Sequence, residues 1–150
     1  MRDITEDYKK MQEKFNLPEI NKIKSRFNFD TNITDIEEIR NEMASKIFDF
    51  TERVVEPLIW CNSHCHMIEK SMLTDPESKT LFSTYKTIQS LKWRNNLLTL
   101  KPNKKESVKL IKDLLTFWDT FEPKMSKICK KFSDGWSDLR FKKEHVEYSG

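Results

Sequence analysis

The sequence predicts an all-α protein, an antiparallel helical bundle of three long helices preceded by two short N-terminal helices. Apolar residues recur at alternating spacings of three and four along most of the chain, which places them on one face of a helix. The chain contains two glycines, Gly135 and Gly150, and this scarcity disfavours a β-rich fold because tight hairpin turns depend on glycine. Helix-capping signatures beside prolines mark where individual helices begin.

The longest predicted helix covers residues 34–73. Thr34 and Glu37 form a capping box at its start. Pro57 lies inside the run and removes a backbone donor, so we expect a kink there. The apolar stripe keeps its phase across this proline, which favours one kinked helix over two helices separated by a loop. The stripe consists of Ile36, Ile39, Met43, Ile47, Phe50, Val54, Leu58, Cys61, Cys65, Ile68 and Met72.

The two other long helices are predicted at residues 75–100 and 104–133. Thr74 opens a second capping box with a proline in the first turn, and Asn103 provides a third cap after a Lys-Pro turn. Pro123 is expected to kink the last of the three helices. The connections between the long helices are short, which implies that neighbouring helices run antiparallel.

The ends of the chain are predicted to be less regular. Two short helices fall within the first 30 residues and are interrupted at residues 16–19 by Asn-Leu-Pro-Glu. The sequence Ser-Asp-Gly at residues 133–135 predicts the end of the last long helix, because glycine adopts a left-handed conformation freely. We therefore expect one helical-bundle domain over residues 1–135 and a polar C-terminal tail over residues 136–150.

Composition limits the class of protein. The chain has 150 residues, 37% of them hydrophobic, with ten Phe and four Trp, which predicts one ordered domain with a substantial core. Because no glycine precedes Gly135, the glycine-rich loops of P-loop and dinucleotide-binding proteins are excluded before that position. Three cysteines without a secretory leader predict a cytoplasmic protein. The sequence has no run of about 18 apolar residues, so no membrane partner is expected.

A Cys/His cluster is the densest group of reactive side chains. Cys61, His64 and Cys65 are spaced three and four apart, which would place them on one face of the predicted helix. Thiolate and imidazole are ligands that zinc prefers, so these three residues form a candidate metal site. Structural zinc sites usually join two ligand clusters, and here Cys129 is the sole further thiol. The competing interpretation is that Cys61 and Cys65 are small core residues.

A nucleophilic cysteine is a second interpretation of the same cluster. Cys61 with His64, or Cys65 with Glu69, would place a thiol and a partner on one face. A reactive cysteine needs a helix N-terminus or a positive neighbour. The predicted mid-helix position on an apolar stripe argues against this chemistry, and no catalytic residue is assigned.

A lysine-rich face is predicted on the last long helix, within about a third of its circumference at about 100° per residue. Residues 79–131 carry 13 Lys/Arg and 4 Asp/Glu, whereas residues 1–73 are net acidic. Lys92, Trp93 and Arg94 on the preceding helix add an aromatic ring between two cations, a pattern suited to nucleic acid or an acidic partner. An ordinary solvated surface is the competing interpretation. The face consists of Lys105, Lys109, Lys112, Lys124, Lys127 and Lys131.

Three aromatic residues deviate from the apolar stripes of their helices. Phe48, Trp60 and Trp93 fall off or at the edge of the main stripe. If they cluster on the surface, they mark a partner or dimer interface. A wider apolar face in a multi-helix bundle would also account for them.

These observations give three hypotheses of function. The first is a non-enzymatic helical module that acts through protein–protein contacts, with a homodimer among the options. The second is a nucleic-acid-associated protein that uses the face from Lys105 to Lys131. The third is a metal-binding bundle at Cys61, His64 and Cys65, with zinc as the sole cofactor considered.

Overall fold

A computed structural model describes residues 4–29 and 35–138, with the side chains of residues 4–7 excepted. These residues form helices and connecting turns and no strand, so the predicted all-α class is confirmed. In chain order the elements are α1 (Ile4–Phe15), α2 (Ile20–Phe27), α3 (Ile36–Phe50), a π-helical turn (Thr51–Val55), α4 (Glu56–Trp60), α5 (His64–Ser71), α6 (Asp75–Leu100) and α7 (Lys104–Asp138).

Helices α3, α6 and α7 contact one another and form the centre of the bundle. Arg94 pairs with Asp113 and Glu77 pairs with Lys131, so α6 and α7 run antiparallel. The start of α3 contacts the start of α7 and its end lies beside Phe121, so α3 runs parallel to α7. The three helices bury their aliphatic residues together, and complete burial of each large side chain stabilises the fold by about 1.5–3 kcal/mol.

Helices α1 and α2 form the predicted N-terminal pair. Asn16 and Asn28 adopt left-handed backbone conformations after each helix, which asparagine tolerates well. Tyr8 is buried between the two helices and donates a hydrogen bond to the carbonyl of Pro18 at 2.5 Å. Burial raises the pKa of the Tyr8 hydroxyl to about 12, because the charged phenolate is poorly solvated there. Phe27 packs on Trp118 of α7, with ring centroids 4.9 Å apart.

The start of α3 differs from the predicted capping box. Asp35 is the N-cap, and its carboxylate accepts hydrogen bonds from the backbone N–H groups of Glu37 and Glu38 at 3.2 and 3.3 Å. Thr34 lies outside the described residues. The Glu37 side chain accepts hydrogen bonds from Ser107 and Arg40, so it joins α3 to α7 instead of capping its own helix.

The helix predicted at residues 34–73 is not continuous. It passes Pro57 through the π-helical turn, in which the N–H of Glu56 donates to the carbonyl of Thr51. Such a turn relieves the contact between the proline ring and the carbonyl four residues earlier. The helix then ends at Trp60, Cys61 takes a left-handed conformation with φ of 50°, and the Ser63 hydroxyl caps α5. The expected single kinked helix is therefore wrong beyond residue 60.

The buried stripe also shifts by one residue at the π-helical turn. The sequence predicts that Phe50 and Val54 face the core, whereas the structure buries Thr51 and Val55 and leaves Phe50 and Val54 partly exposed. Thr51 and Val55 follow Ile47 at two successive spacings of four residues, which in a regular α-helix would rotate Val55 by about 80° away from Ile47. The wider π turn corrects this drift and keeps Thr51 and Val55 in line with Ile47.

Helix α6 has the predicted bounds. The hydroxyl of Thr74 accepts from the N–H of Glu77 at 3.2 Å, and the Glu77 carboxylate accepts from the N–H of Thr74 at 2.9 Å. Asn103 caps the start of α7 by accepting from the N–H of Glu106 at 3.1 Å. These two capping signals are local in sequence, which is why they predict the boundaries well.

Helix α7 is longer than predicted. It continues through Pro123 and through Gly135 to Asp138. A Cβ atom at Gly135 would lie 2.5 Å from the Met72 sulfur, so the Met72 side chain packs directly on this glycine, which lies inside the helix and does not end it. Trp136 donates to Glu69 of α5 at 3.0 Å, so the predicted tail begins inside α7, while residues 139–150 lie outside the described residues.

Candidate functional site

The outward face of α6 carries an exposed apolar stripe, which we define as Phe82, Trp93, Leu97 and Leu100. Their exposed fractions are 46%, 67%, 60% and 81%, values expected of polar side chains. Helix α6 is thus apolar on two faces. Its inner face is formed by Leu81, Ile88, Leu91 and Leu98, all buried against the bundle.

The stripe is long and narrow. At about 100° per residue, its four members lie within an arc of about 60° on the helix. From Phe82 to Leu100 it extends about 27 Å, the length of roughly five helical turns. Lys79 and Lys86 lie in the same arc, and the Lys86 ammonium is 5.2 Å from the centre of the Phe82 ring. A cation above an aromatic face is attracted by its quadrupole, so Lys86 is held beside the stripe.

Charge on α6 is of one sign over most of its length. Between Ser78 and Leu100 the helix carries Lys79, Lys86, Lys92 and Arg94, and the sequence has no Asp or Glu in this range. Arg94 is neutralised by Asp113 of α7 at 2.8 Å. Lys79 and Lys86 are exposed and extend the positive charge along the stripe itself.

A cavity of about 420 Å³ lies where α4, α5 and α6 meet, at the Phe82 end of the stripe. Trp60 contributes to its lining and is 60% exposed, because α4 ends at this residue and the chain turns away at Cys61. Lys70 and Lys79 are the charged residues of the lining. The remaining lining residues are Leu58, Ile59, Leu73, Ser78, Leu81 and Phe82.

A second groove, of about 260 Å³, lies between α6 and α7. Its floor is apolar, and Glu77, Lys124 and Lys127 are its charged residues. The hydrogen bond from Lys131 to Glu77, at 2.5 Å, is the main cause that lowers the pKa of the Glu77 carboxyl to about 2. The backbone N–H of Thr74 lowers that pKa further. Glu77 is therefore committed to an ion pair that ties α6 to α7.

The predicted lysine face is present on α7 but is interrupted. Five of its six lysines are exposed, whereas Lys131 is half-buried and paired with Glu77. Asp113 and Asp119 lie on the same side of the helix and pair with Arg94 and Arg26. Sequence reasoning missed these pairs because each joins residues on different helices. Lys92 is half-buried, while Trp93 beside it is exposed.

The Cys/His cluster does not share one helix face. Cys61 follows α4 as its C-cap, and its thiol donates to the carbonyl of Leu58 at 3.3 Å, while His64 and Cys65 begin α5. The break at residues 61–63 therefore overturns the geometric basis of the predicted metal site. Within residues 4–29 and 35–138, no group of three or more His, Cys, Asp or Glu side chains is placed to hold a metal ion.

The cysteines are not core residues either. Cys65 and Cys129 are exposed and Cys61 is partly exposed, so the prediction that Cys61 and Cys65 continue the buried stripe is wrong. Cys65 lies in the first turn of α5, not mid-helix on an apolar face as the sequence suggested. All eight residues of α5 remain at least partly exposed, so no residue of this helix continues the buried stripe.

The off-stripe aromatics divide into two groups. Phe48 is half-buried against the core, as a wide apolar face would require. Trp60 and Trp93 are on the surface, at the cavity and on the α6 stripe. Phe82, Leu97 and Leu100 were not identified from the sequence as surface residues. The signal was a second helical spacing, 93, 97 and 100, interleaved with the buried series 88, 91, 95 and 98.

Residues 4–29 and 35–138 form an all-α helical bundle in which α6 carries an exposed apolar stripe. No known protein family, curated protein or solved structure matches the chain. None of the helices within residues 4–29 and 35–138 has both the length and the apolarity needed to cross a membrane.

Proposed function

We propose that this chain is a non-enzymatic helical-bundle protein that acts through protein–protein contacts made by the outward face of α6. The exposed apolar stripe carries the proposal. Trp93, Leu97 and Leu100 are exposed on adjacent turns of one helix, which is typical of an interaction site, whereas single exposed apolar residues are common on any surface. Trp93 is the strongest single indication, because tryptophan is enriched among the residues that dominate binding energy.

Burial of the stripe would supply the free energy of binding. Each buried Leu or Trp side chain contributes about 1.5–3 kcal/mol on transfer from water. Trp93, Leu97 and Leu100 have the i, i+4, i+7 spacing of the anchors by which an amphipathic helix is recognised, and Phe82 lies on the same arc about 16.5 Å from Trp93. The cavity beside Trp60 and Phe82 adds a concave end to the line, where one partner side chain can be enclosed. Cytoplasmic location, predicted from cysteine usage, remains part of the proposal.

Self-association is one form of this function. A second copy of the chain could cover the α6 face, and the dimer would then depend on Trp93 and Leu97. Nucleic-acid association is the second candidate. The exposure of Lys105, Lys109 and Lys112 on α7 favours it, because solvent-accessible lysines can neutralise phosphates.

Site-specific photocrosslinking tests the proposal. A photoreactive residue replaces Ser90, which is exposed beside the stripe, in cells that naturally express the chain. We expect a discrete protein adduct that disappears when Trp93→Glu is added. The matched control places the same group at exposed Lys46 of α3, where no such adduct is expected.

The outcome separates the candidates. An adduct between two copies of the chain supports self-association, and an adduct with a different protein supports a heterologous partner. Adducts with nucleic acid, together with salt-sensitive retention on heparin that is lost on substitution of Lys105, Lys109 and Lys112, would replace the proposal by the second candidate. Equal labelling from Ser90 and Lys46 refutes a specific α6 interface.

A further inference from the structure

We infer that the partner of the α6 face is an acidic amphipathic helix of another protein. The inference rests on the proposed function and specifies the chemistry of the partner. Three features of the face support it: its length, the sign of its charge and the cavity at one end.

The length and width of the stripe match one helix. A partner helix of about 18 residues would span the 27 Å from Phe82 to Leu100. The stripe is only one side chain wide, so it fits the narrow apolar face of a helix better than a broad sheet or domain surface. Depressions flank it, formed by α4 and α5 on one side and by α7 on the other. Side chains of a helix that crosses α6 can enter these depressions.

The charge around the stripe selects an acidic partner. Lys79 and Lys86 are exposed within its arc, and Lys124 and Lys127 lie in the neighbouring groove. Residues 79–131 carry 13 Lys/Arg against 4 Asp/Glu. Two of those four carboxylates, Asp113 and Asp119, are already held in ion pairs. Glutamates that flank the apolar face of a partner would therefore meet an excess of exposed cations.

The cavity provides an anchor at the Phe82 end. Its walls are apolar, and Lys70 and Lys79 are its charged residues. One large apolar side chain of the partner can enter between Trp60 and Phe82, with an acidic neighbour beside each lysine. Enclosed anchors of this kind are typical of the residues that dominate helix-in-groove binding.

Other occupants fit the face less well. Packing of α6 against α6 of a second copy would place Lys79 and Lys86 of both copies in one interface with no carboxylate between Ser78 and Leu100 to offset them, and like charges repel. Nucleic acid would leave Leu97 and Leu100 without an apolar contact, since phosphates and bases contact cations and aromatic rings. An acidic membrane surface would contact a convex apolar face, whereas this stripe lies beside a cavity.

Two labelled peptides test the inference against the full chain. Both are helical, about 18 residues long, with the same leucine and phenylalanine face. One peptide carries glutamates on its flanks and the other carries lysines. Fluorescence anisotropy measures their binding. We expect the glutamate peptide to bind at least about tenfold more tightly at low salt, with the difference shrinking as salt screens the charges.

Matched charge-reversal variants locate the effect. Lys79→Glu/Lys86→Glu should weaken the glutamate peptide about tenfold and strengthen the lysine peptide, because two exposed contacts change sign. Lys10→Glu/Lys46→Glu makes the same change in net charge on exposed residues of α1 and α3, and should alter neither affinity by more than about twofold. Circular dichroism checks that each variant remains folded.

Several results would overturn the inference. Equal affinity for the two peptides would retain α6 as an apolar interface but reject an acidic partner. No binding of either peptide, while Ser90 still gives a protein adduct, would reject a helical acidic partner and leave the proposed function standing. Concentration-dependent dimerisation lost in Leu97→Glu would assign the face to a second copy. Tighter binding of duplex DNA, or of phosphatidylcholine/phosphatidylserine vesicles, through Trp93 would assign it to those ligands.

Discussion

Replacement of Arg40 by alanine should destabilise the fold more than any change of an exposed charge. Arg40 is 3% exposed and lies where α3, α6 and α7 meet. Its Nε and Nη2 donate to the Glu37 carboxylate at 3.2 and 3.1 Å. Its Nη1 donates to the backbone carbonyl of Asn95 at 3.2 Å and to the Asn95 side chain. Removal of the guanidinium takes away the hydrogen bonds that it donates to each of these acceptors.

The size of the effect follows from what remains after the substitution. Removal of one partner from a buried charge pair costs about 3–5 kcal/mol. The Glu37 side chain is 24% exposed and still accepts from the Ser107 hydroxyl at 2.7 Å, so water and Ser107 relieve part of this penalty. We therefore expect Arg40→Ala to lower the free energy of unfolding by about 2–4 kcal/mol, including the lost packing of its aliphatic stem.

Urea denaturation followed by far-ultraviolet circular dichroism measures this loss as a lower midpoint at an unchanged slope. Arg53→Ala is the control, because Arg53 is exposed and donates a single long hydrogen bond, at 3.4 Å, to the carbonyl of Asp49. It should change stability by less than about 0.5 kcal/mol. A loss below about 1 kcal/mol for Arg40→Ala, or one equal to that of Arg53→Ala, would show that the buried arginine does not hold the three helices together.

Three further predictions concern individual contacts. The pKa of Glu77 is about 2 when folded and 4.5 ordinarily, so its ion pair stabilises the fold above about pH 4.5 and is lost as the pH falls to about 2. Glu77→Gln should therefore lose less stability than the wild-type protein over this pH range. Thermal unfolding across this pH range measures the effect. Tyr8→Phe should lower stability by about 1 kcal/mol in urea denaturation, through loss of the hydrogen bond to Pro18. Gly135→Ala alone should change the free energy of unfolding by less than about 1 kcal/mol. In a Met72→Ala background, where the steric conflict is gone, the same substitution should raise the free energy of unfolding by about 1 kcal/mol.

Each of these predictions has a contrary result. An unchanged acid-induced transition in Glu77→Gln would show that the Lys131 contact does not govern it. No loss in Tyr8→Phe would show that water satisfies the Pro18 carbonyl equally well. Equal effects of Gly135→Ala in both backgrounds would show that Met72 moves aside without cost.

The boundaries of α6 could be predicted because their causes are local. The capping box from Thr74 to Glu77 and the Lys-Pro-Asn turn after Leu100 act within a few residues. The break after Trp60 could not be predicted in this way. The apolar residues continue at spacings of three and four across Cys61, and this pattern alone does not reveal that Ser63 caps a new helix.

The candidate site could be predicted only in part. Trp60 and Trp93 were identified because they deviate from the stripes of their helices. Leu97 and Leu100 were not, because a helix with two apolar faces gives no local sign of which face the rest of the bundle covers. The pairing of Asp119 with Arg26 joins residues far apart in sequence, and spacing within one helix carries no information about it.

The π-helical turn at Thr51–Val55 determines which way the chain faces beyond it. A π turn is equivalent to a single inserted residue in an α-helix, and its wider winding keeps the downstream residues in register. If this turn wound as a regular α-helix with the same residues, everything downstream would rotate by about 100° relative to α3. Val54 would then face the core in place of Val55, and Trp60 would leave the cavity. A related chain that lacks one residue here should therefore wind as a regular α-helix and keep that tryptophan in place.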